Sequence, residues 1–334
     1  MKILVTGGAG FIGSNFIRYW LEHHPADSLV NFDKLTYAGH LSTLKDFENN
    51  PRHRFFEGDI QNPDAIANAA EKGIDAIVHF AAESHVDRSI YGPIDFVRTN
   101  VLGTTHLLEW TRQHPQTRFV LVSTDEVYGS LSLEDRSKKF KWGDPYQPRN
   151  PYAASKASAD HLSRAYHHTY GLDIMITNCT NNVGPYQDPE KFVPLSITNL
   201  LEDKPIRIYG DGKYIRDWLW VDDHIMGIEK VLLKGKRGET YLFGGKSEID
   251  NLSLAKRILA KLKKQESAIE FVSDRPGNDR RYAMDYSKTL KELDWQPTLG
   301  IDEILDKTIA WYQENSWWWK PIKGRKEGVV ITHG

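Results

Sequence analysis

The chain has a single cysteine, Cys179, in 334 residues. That excludes an intramolecular disulfide and any zinc or iron–sulfur centre built on several thiolates, and it suits a reducing compartment. Neither sign of charge prevails. Forty-three Lys and Arg stand against 45 Asp and Glu, a formal net charge of −2, so the basic excess expected of a nucleic-acid-binding protein is missing. An anionic ligand would need a local site. No apolar run approaches the ~18 residues of a membrane-spanning helix. The segment from Met1 to Ser14 has a lysine and apolar residues, but Gly7, Gly8, Gly10 and Gly13 interrupt it and no small-residue cleavage site follows. It reads as structure and not as a signal peptide. HExxH and GxSxG are absent, which leaves a zinc-protease site and an acyl-transfer serine without support. The pairs His23-His24 and His167-His168 read as solvated helix ends. There is no internal repeat and no low-complexity tract.

What is present begins with 10 Trp and 15 Tyr, enough for stackable surfaces as well as core. The length allows two domains or one large α/β domain. The first half alternates short apolar runs with amphipathic stretches, the pattern of βαβ units on a parallel sheet. Strands are expected at Lys2–Thr6, Leu29–Asp33, Arg54–Glu57, Ala76–Ala81, Arg118–Ser123 and Asp173–Asn178, and helices near Phe11–His23, Pro63–Lys72, Pro93–Gln113 and Pro151–Tyr170. Beyond Asn178 the regularity fails among Gly- and Pro-rich breaks such as Gly184-Pro185 and Gly210-Asp211-Gly212. The expected fold is a Rossmann-type doubly wound parallel sheet with a smaller mixed α/β substrate-binding lobe. Residues 1–180 would carry the dinucleotide and the catalytic groups, and residues 181–334 mainly the substrate, with some exchange of chain between the lobes. Ser132–Arg149, charged and ending in prolines, reads as a surface loop near the end of the fifth strand.

The first strand runs into Gly7-Gly8-Ala9-Gly10-Phe11-Ile12-Gly13 and then a helix. Glycines at 7, 10 and 13 suit a backbone that approaches a pyrophosphate closely and delivers it to a helix N-terminus. Ser14 stands where a P-loop would have its lysine, which disfavours a triphosphate hydrolase. Asp33, at the end of the second strand, would accept bonds from adenosine ribose hydroxyls and repel a 2′-phosphate, so NAD is preferred over NADP. Asp59, past the third strand, would meet the adenine amino group or is a solvated turn acid.

Tyr152-Ala153-Ala154-Ser155-Lys156 puts a phenol and an ammonium on one face of a helix. A base for an alcohol at neutral pH needs its pKa brought from near ~10 to ~7, about 4 kcal/mol. A unit charge ~4 Å away supplies that at an effective dielectric of ~20, so Lys156 with a cationic nicotinamide would suffice. Thr124, at the carboxyl edge of the fifth strand, would orient the hydroxyl that Tyr152 deprotonates. Asp125-Glu126 exceeds what a simple dehydrogenase needs. Two carboxyls with pKa values pushed apart can divide C–H proton removal from leaving-group protonation. The same pair would otherwise be a charged loop with Asp125 as helix cap.

These residues resemble the extended short-chain dehydrogenase/reductase superfamily and, within it, the dTDP-glucose 4,6-dehydratase family. The likeness runs from Met1 to about Lys320, through Thr6–Gly13, Phe32–Gly39, Phe80–Ser89, Ser123–Gly129, Tyr152–Lys156, Asn181-Asn182, Arg216-Asp217-Trp218, Arg275-Pro276-Gly277 and Trp317-Trp318-Trp319. The Asp125-Glu126 dyad is its specific part. The resemblance implies a cycle that does not consume NAD. Tyr152 takes the sugar 4-hydroxyl proton while C4 gives hydride to the cofactor, Glu126 removes the C5 proton, Asp125 protonates the departing 6-hydroxyl, and hydride returns to C6. The product is a 4-keto-6-deoxy sugar nucleotide, of the kind that feeds deoxysugar and polysaccharide synthesis in the cytoplasm.

By the same resemblance the cofactor lies against Gly7, Gly10, Phe11, Ile12 and Gly13, then Asp33, Lys34, Thr36 and Gly39, then Asp59, Ile60, Ala81 and Ala82. Ser84, Asn100 and Lys156 surround the nicotinamide ribose and the substrate hydroxyls, and Asn182 stands near the cofactor. Asn181, Lys191, Phe192, Pro205, Tyr209, Arg216, Asn251, Arg275 and Asn278 surround the nucleoside diphosphate. Arginine there makes independent sense, because its planar fork matches phosphate oxygens. Three residues depart from the family pattern: Asn178 for a usual Arg, Val183 for Tyr and Asn278 for His. Helices Pro93–Gln113 and Pro151–Tyr170 carry apolar positions beyond one sheet face and, in such proteins, pair across a two-fold axis, so a homodimer is expected. No metal, nucleic acid or membrane is expected as a partner. Two alternatives stay open: another nucleotide-sugar dehydratase or an epimerase of the same superfamily, and a non-catalytic dinucleotide-binding regulator.

Overall fold

A computed structural model describes residues 1–70, 73–274 and 276–327. Seven parallel strands form the main sheet: β1 (Lys2–Thr6), β2 (Ser28–Asp33), β3 (His53–Glu57), β4 (Ala76–His79), β5 (Arg118–Thr124), β6 (Ile174–Cys179) and, after three short strands of the second lobe, β10 (Thr240–Phe243). Their order, β10-β6-β5-β4-β1-β2-β3, is that of a doubly wound sheet reversing between β1 and β4, where ligands bind beyond the carboxyl ends of the strands. The expected Rossmann-type sheet is borne out. Its strands are short continuous apolar runs because helices cover both faces. One face packs Ile3, Val5, Phe16, Trp20 and Val120, the other Leu4, Phe32, Ile77, Leu107 and Leu121.

The helices are α1 (Phe11–His23), α2 (Pro63–Ala69), α3 (Val86–Tyr91), α4 (Pro93–Phe96), α5 (Thr104–Gln113), α6 (Pro151–Tyr170), α7 (Phe192–Leu201), α8 (Val221–Lys234), α9 (Asn251–Lys261), α10 (Ser287–Leu293), α11 (Ile301–Glu314) and α12 (Ser316–Glu327). The helix expected to end at Lys72 closes at Ala69; Glu71 and Lys72 lie outside the described residues. The single helix expected over Pro93–Gln113 is divided, with a π-helical stretch at Val97–Gly103 between α4 and α5. Thr104 and Thr105 bond back to the Asn100 and Val101 carbonyls, and a Cβ on Gly103 would stand 2.6 Å from the Ile60 side chain. The wide turn frees Asn100 for a tertiary role, as such turns often do at functional sites.

The second lobe holds a three-stranded sheet of β7 (Asn181–Val183), β9 (Ile215–Trp220) and β11 (Glu248–Asp250), and a parallel pair of β8 (Ile206–Tyr209) with β12 (Ile269–Val272). Its core draws on α7, α9, α11 and α12 and includes Trp218, Trp318 and Trp319. Two tryptophans of the Trp-rich end, Trp318 and Trp319, are thus core while Trp317 is exposed, and the end reaches across to the first lobe: Trp318 Nε1 donates to Thr43 Oγ1 (3.0 Å). The Ser132–Arg149 stretch is more anchored than a loose surface loop. Phe140 is buried with Tyr128 and Tyr282, and the fully buried Arg281 donates to the carbonyls of Asp135, Arg136 and Lys138. No helix among the described residues is long and apolar enough to cross a membrane.

Candidate functional site

One cavity follows the carboxyl edge of the main sheet from β3 past β1 and β4 to β5 and α6, and is closed on the far side by the start of the second lobe. The β1–α1 turn is built by glycines with different duties. Gly7 has φ +74°, and a Cβ there would meet Ala81 N at 2.6 Å; a Cβ on Gly13 would meet Gly7 O at 2.4 Å. Gly10 is different. A Cβ there has only Gly7 O at 3.3 Å and Ala38 O at 3.9 Å nearby, so it would fit the fold and project into the space a ligand backbone would use. Helix α1 has no side-chain cap and no acid in its first turn, which leaves its positive end to an anion.

Asp33 sits at the end of β2 with its carboxylate oriented by Ala9 N (2.9 Å) and Leu35 N (2.8 Å). Burial raises its pKa, against the opposing effect of those amides. Lys34 pairs with Asp59 (2.7 Å), which also accepts from Gln61 N (2.9 Å). These four features suit the two phosphates and the adenosine of a dinucleotide.

At the other end, Tyr152 and Lys156 face the cavity from α6, a helix capped by Asn150 at its start, opened by Pro151 and closed by Gly171 in the left-handed conformation. Lys156 donates to Val122 O (2.9 Å). Burial holds the Tyr152 phenol well above its ordinary range, Glu126 adds to this, and the Thr124 hydroxyl opposes it. The counterweight expected from the sequence is Lys156 together with a cationic nicotinamide; among the protein's own groups, burial of the phenol is the largest influence.

Asp125 is buried, and its Oδ2 has no hydrogen-bond partner among the described residues. Burial, and then the Glu126 charge, push its pKa up to about 8. The neighbouring Thr180 hydroxyl commits its one proton to the Asp217 carbonyl (2.9 Å), so toward Asp125 it can only accept. Asp125 is therefore the protonated member of the dyad at neutral pH. Glu126 is half-buried and accepts from Asn150 Nδ2 (3.4 Å).

The cavity brings together Gly7, Gly10, Phe11, Ile12 and Gly13 with Asp33, Lys34, Thr36, Gly39, Asp59 and Ile60. It adds Ala81, Ala82 and Ser84, then Thr124, Asp125, Glu126, Tyr152 and Lys156, and finally Asn181, Asn182 and Lys191. Asn100 does not line it. This buried side chain brackets Glu83 through that residue's N–H and C=O (2.9 Å each) and donates to Ser155 Oγ (2.8 Å). Phe192, Pro205, Tyr209, Arg216, Asn251 and Asn278 also lie away from the lining, in the second lobe. Arg216 donates to Asn278 Oδ1 (3.2 Å) and stacks on Tyr282, and its charge still acts on Asp125. Arg275 lies outside the described residues. Sequence reasoning missed Glu83, Thr180, Gln187 and Asp188, which line the cavity. Glu83 stood inside the quoted Phe80–Ser89 motif; the other three follow β6, where the periodic signal had ended.

Two of the family departures acquire packing partners. Asn178 is buried between Asp160 (3.0 Å) and the Thr124 carbonyl (3.2 Å), and Val183 is in the second-lobe core.

Residues 4–308 match the family model described as GDP-mannose 4,6 dehydratase. The dTDP-glucose 4,6-dehydratase of Xanthomonas campestris pv. campestris (strain B100) is 48% identical over 334 residues, covering 94% of this chain and 94% of that protein. The chain belongs to the dTDP-glucose 4,6-dehydratase family. Two solved members of the family superpose closely. The Bacillus anthracis enzyme in complex with NAD is 45% identical, with a TM-score of 0.91 over 96% of this chain and 99% of that one. DesIV of Streptomyces venezuelae, with NAD and TYD bound, is 46% identical, with a TM-score of 0.92 over 96% and 100%.

Proposed function

We propose that the chain is an NAD-dependent hydro-lyase that converts dTDP-glucose to dTDP-4-keto-6-deoxyglucose and water. The observation that carries this is the Asp125–Glu126 pair, one carboxyl held protonated by burial beside a better solvated one, on the cavity that also holds Tyr152 and the open Gly10 cradle. That cradle, the uncapped α1 and the oriented Asp33 fit NAD. When bound, NAD supplies the hydride acceptor for C4 and the hydride donor for C6.

The protein's residues handle the protons. Thr124 and Tyr152 hold the 4-hydroxyl, and Tyr152 accepts its proton as C4 becomes a ketone; the cationic ring of bound NAD and Lys156 favour the phenolate. The ketone acidifies C5–H. Glu126 removes that proton while Asp125 gives its own to the 6-hydroxyl, which leaves as water. Glu126 returns a proton to C5 as C6 is reduced, Tyr152 gives the proton it took from the 4-hydroxyl to solvent once the 4-ketone is released, and Asp125 is reprotonated from solvent. Lys191 and Asn181, at the second-lobe side of the cavity, are the groups placed to meet the diphosphate.

The chain works as a homodimer. Tyr91, Ile94, Val97 and Leu102 expose apolar side chains along Val86–Gly103, a patch that a two-fold helix pairing would cover. Its buried free thiol and its substrate suit the cytoplasm and deoxysugar synthesis for polysaccharides. The test is to incubate the protein and NAD with dTDP-glucose deuterated at C4, in ordinary water. Deuterium at C6 with loss of the C6 oxygen supports this reading; C4 inversion or unchanged sugar overturns it.

A further inference from the structure

Helix α6 carries a stripe that extends beyond the catalytic pair. Tyr152, Lys156, Asp160 and Arg164 follow one another at four-residue spacing, so they stand on one face, each about 5–6 Å from the next at Cβ. We propose that Asp160 is a positioning residue, a buried carboxylate one turn behind Lys156 that keeps the Lys156 ammonium charged and seated beside Tyr152.

Asp160 is the acceptor of the hydrogen bonds from its side-chain neighbours. Arg164 donates to Tyr146 Oη (2.6 Å), and Tyr146 Oη lies 2.7 Å from Asp160 Oδ2. A guanidinium has no lone pair to offer, so the phenol receives from Arg164 and gives its single proton to Asp160. Asn178 Nδ2 donates to the same oxygen (3.0 Å). Both neighbours are donors, and the carboxyl is fully buried with Oδ1 unpartnered among the described residues.

Lys156 needs such a partner. It is almost fully buried and its one hydrogen bond among the described residues is to a neutral carbonyl, a setting in which an ammonium tends to lose its proton. The groups facing it from other elements give little help. His79 on β4 is buried between Thr6 and Thr104 (2.7 and 2.9 Å) and is held neutral at about 3. Cys179 on β6 is pushed up to about 12 and is neutral too. Asp125 is protonated, and Glu126 and Tyr152 lie toward the substrate side. Burial lowers the Lys156 pKa and Asp160 is the largest opposing influence.

The proposal rests on Tyr152–Lys156 being the catalytic pair, and its test is chosen to read Lys156 directly. In protein carrying ¹³Cε-lysine, with the resonance identified by its loss in Lys156→Met, Lys156 is expected to titrate as a charged ammonium through pH 7. In Asp160→Asn, which keeps the side chain's shape, its titration should move down by about one unit or more. The alkaline limb of single-turnover C4 oxidation should move with it. Tyr146→Phe removes a bond and keeps the charge, and should leave the Lys156 titration in place. A Lys156 that is neutral at pH 7 in the unsubstituted protein, an unmoved titration in folded Asp160→Asn, or an equal shift in Tyr146→Phe would each overturn the proposal. The Lys156 titrations need no nucleotide sugar, so an error in the assigned substrate would remove the C4-oxidation reading and leave the titration result unchanged.

Discussion

Asp125 and Glu126 are adjacent in the chain and opposite in surroundings: Asp125 is sealed in with its Oδ2 unpartnered among the described residues, while Glu126 is half-buried and takes the Asn150 amide at 3.4 Å. Desolvation acts hardest on the member with least access to water, so the two carboxyls differ in charge at the same pH.

Asp125→Asn should leave C4 oxidation working and stall elimination by roughly 10²–10⁴-fold. The measurement is a single turnover in which reduced cofactor forms and persists. Full turnover in this variant would remove Asp125 from the mechanism.

The same group gives a pH dependence of stability with a definite sign. Its pKa is raised from 3.8 to about 8 in the folded chain, so the folded state binds this proton more tightly than the unfolded one. Its contribution is fully present below about pH 4 and is lost as pH rises toward 8. Thermal unfolding of the unsubstituted protein should therefore decline across that window relative to Asp125→Asn, which has no charge to bury. The elimination step should weaken above pH 8 as well. Parallel unfolding curves for the two proteins would contradict this.

The glycines separate folding from binding. Gly10→Ala makes one tight contact, with Gly7 O at 3.3 Å, so it should lower the unfolding temperature far less than Gly13→Ala and weaken NAD binding about tenfold or more, ~1.4 kcal/mol. Gly13→Ala drives a Cβ to 2.4 Å from Gly7 O and should destabilise the fold by about 1–3 kcal/mol or more. Calorimetric titration with NAD beside thermal melts distinguishes the two. If Gly10→Ala bound NAD normally, the cradle would be misplaced.

Asp33→Ala removes the acceptor that Ala9 N and Leu35 N orient. NAD affinity should fall while the preference over NADP narrows, because the charge that would repel a 2′-phosphate is gone. Dissociation constants for both cofactors on the same variant check it; an unchanged ratio would show that discrimination resides elsewhere.

Ile94 is 59% exposed on α4, with Val97 and Leu102 nearby at 50% and 46%. Ile94→Asp should place a charge in the contact proposed for the homodimer and yield monomers in sedimentation velocity. A dimer that persists unchanged would move the contact to another face.

The parts legible in the sequence were those whose partners lie within a few residues. The β1 strand, its glycine turn and α1 are a local unit, and Tyr152 and Lys156 share a helix face through spacing alone. Asp33 followed from its distance after Gly13. Strand β10 was not legible, because four residues in the midst of the second lobe join the sheet only through pairing with β6, some sixty residues earlier. The π-helical turn at Val97–Gly103 was hidden for a similar reason: Asn100 is drawn out of a regular helix by the Glu83 backbone and Ser155.

Residue types and short spacings thus set out the cofactor loop, the Tyr–Lys pair and the existence of a carboxyl dyad. Tertiary structure alone decided how those groups are charged. Thr180, Asp217 and Arg216 come to Asp125 from far along the chain, and His79, Cys179 and Asp160 enclose Lys156 from three elements. Protonation depends on the water and the charges a side chain meets in space, and those are set by packing between segments distant in sequence.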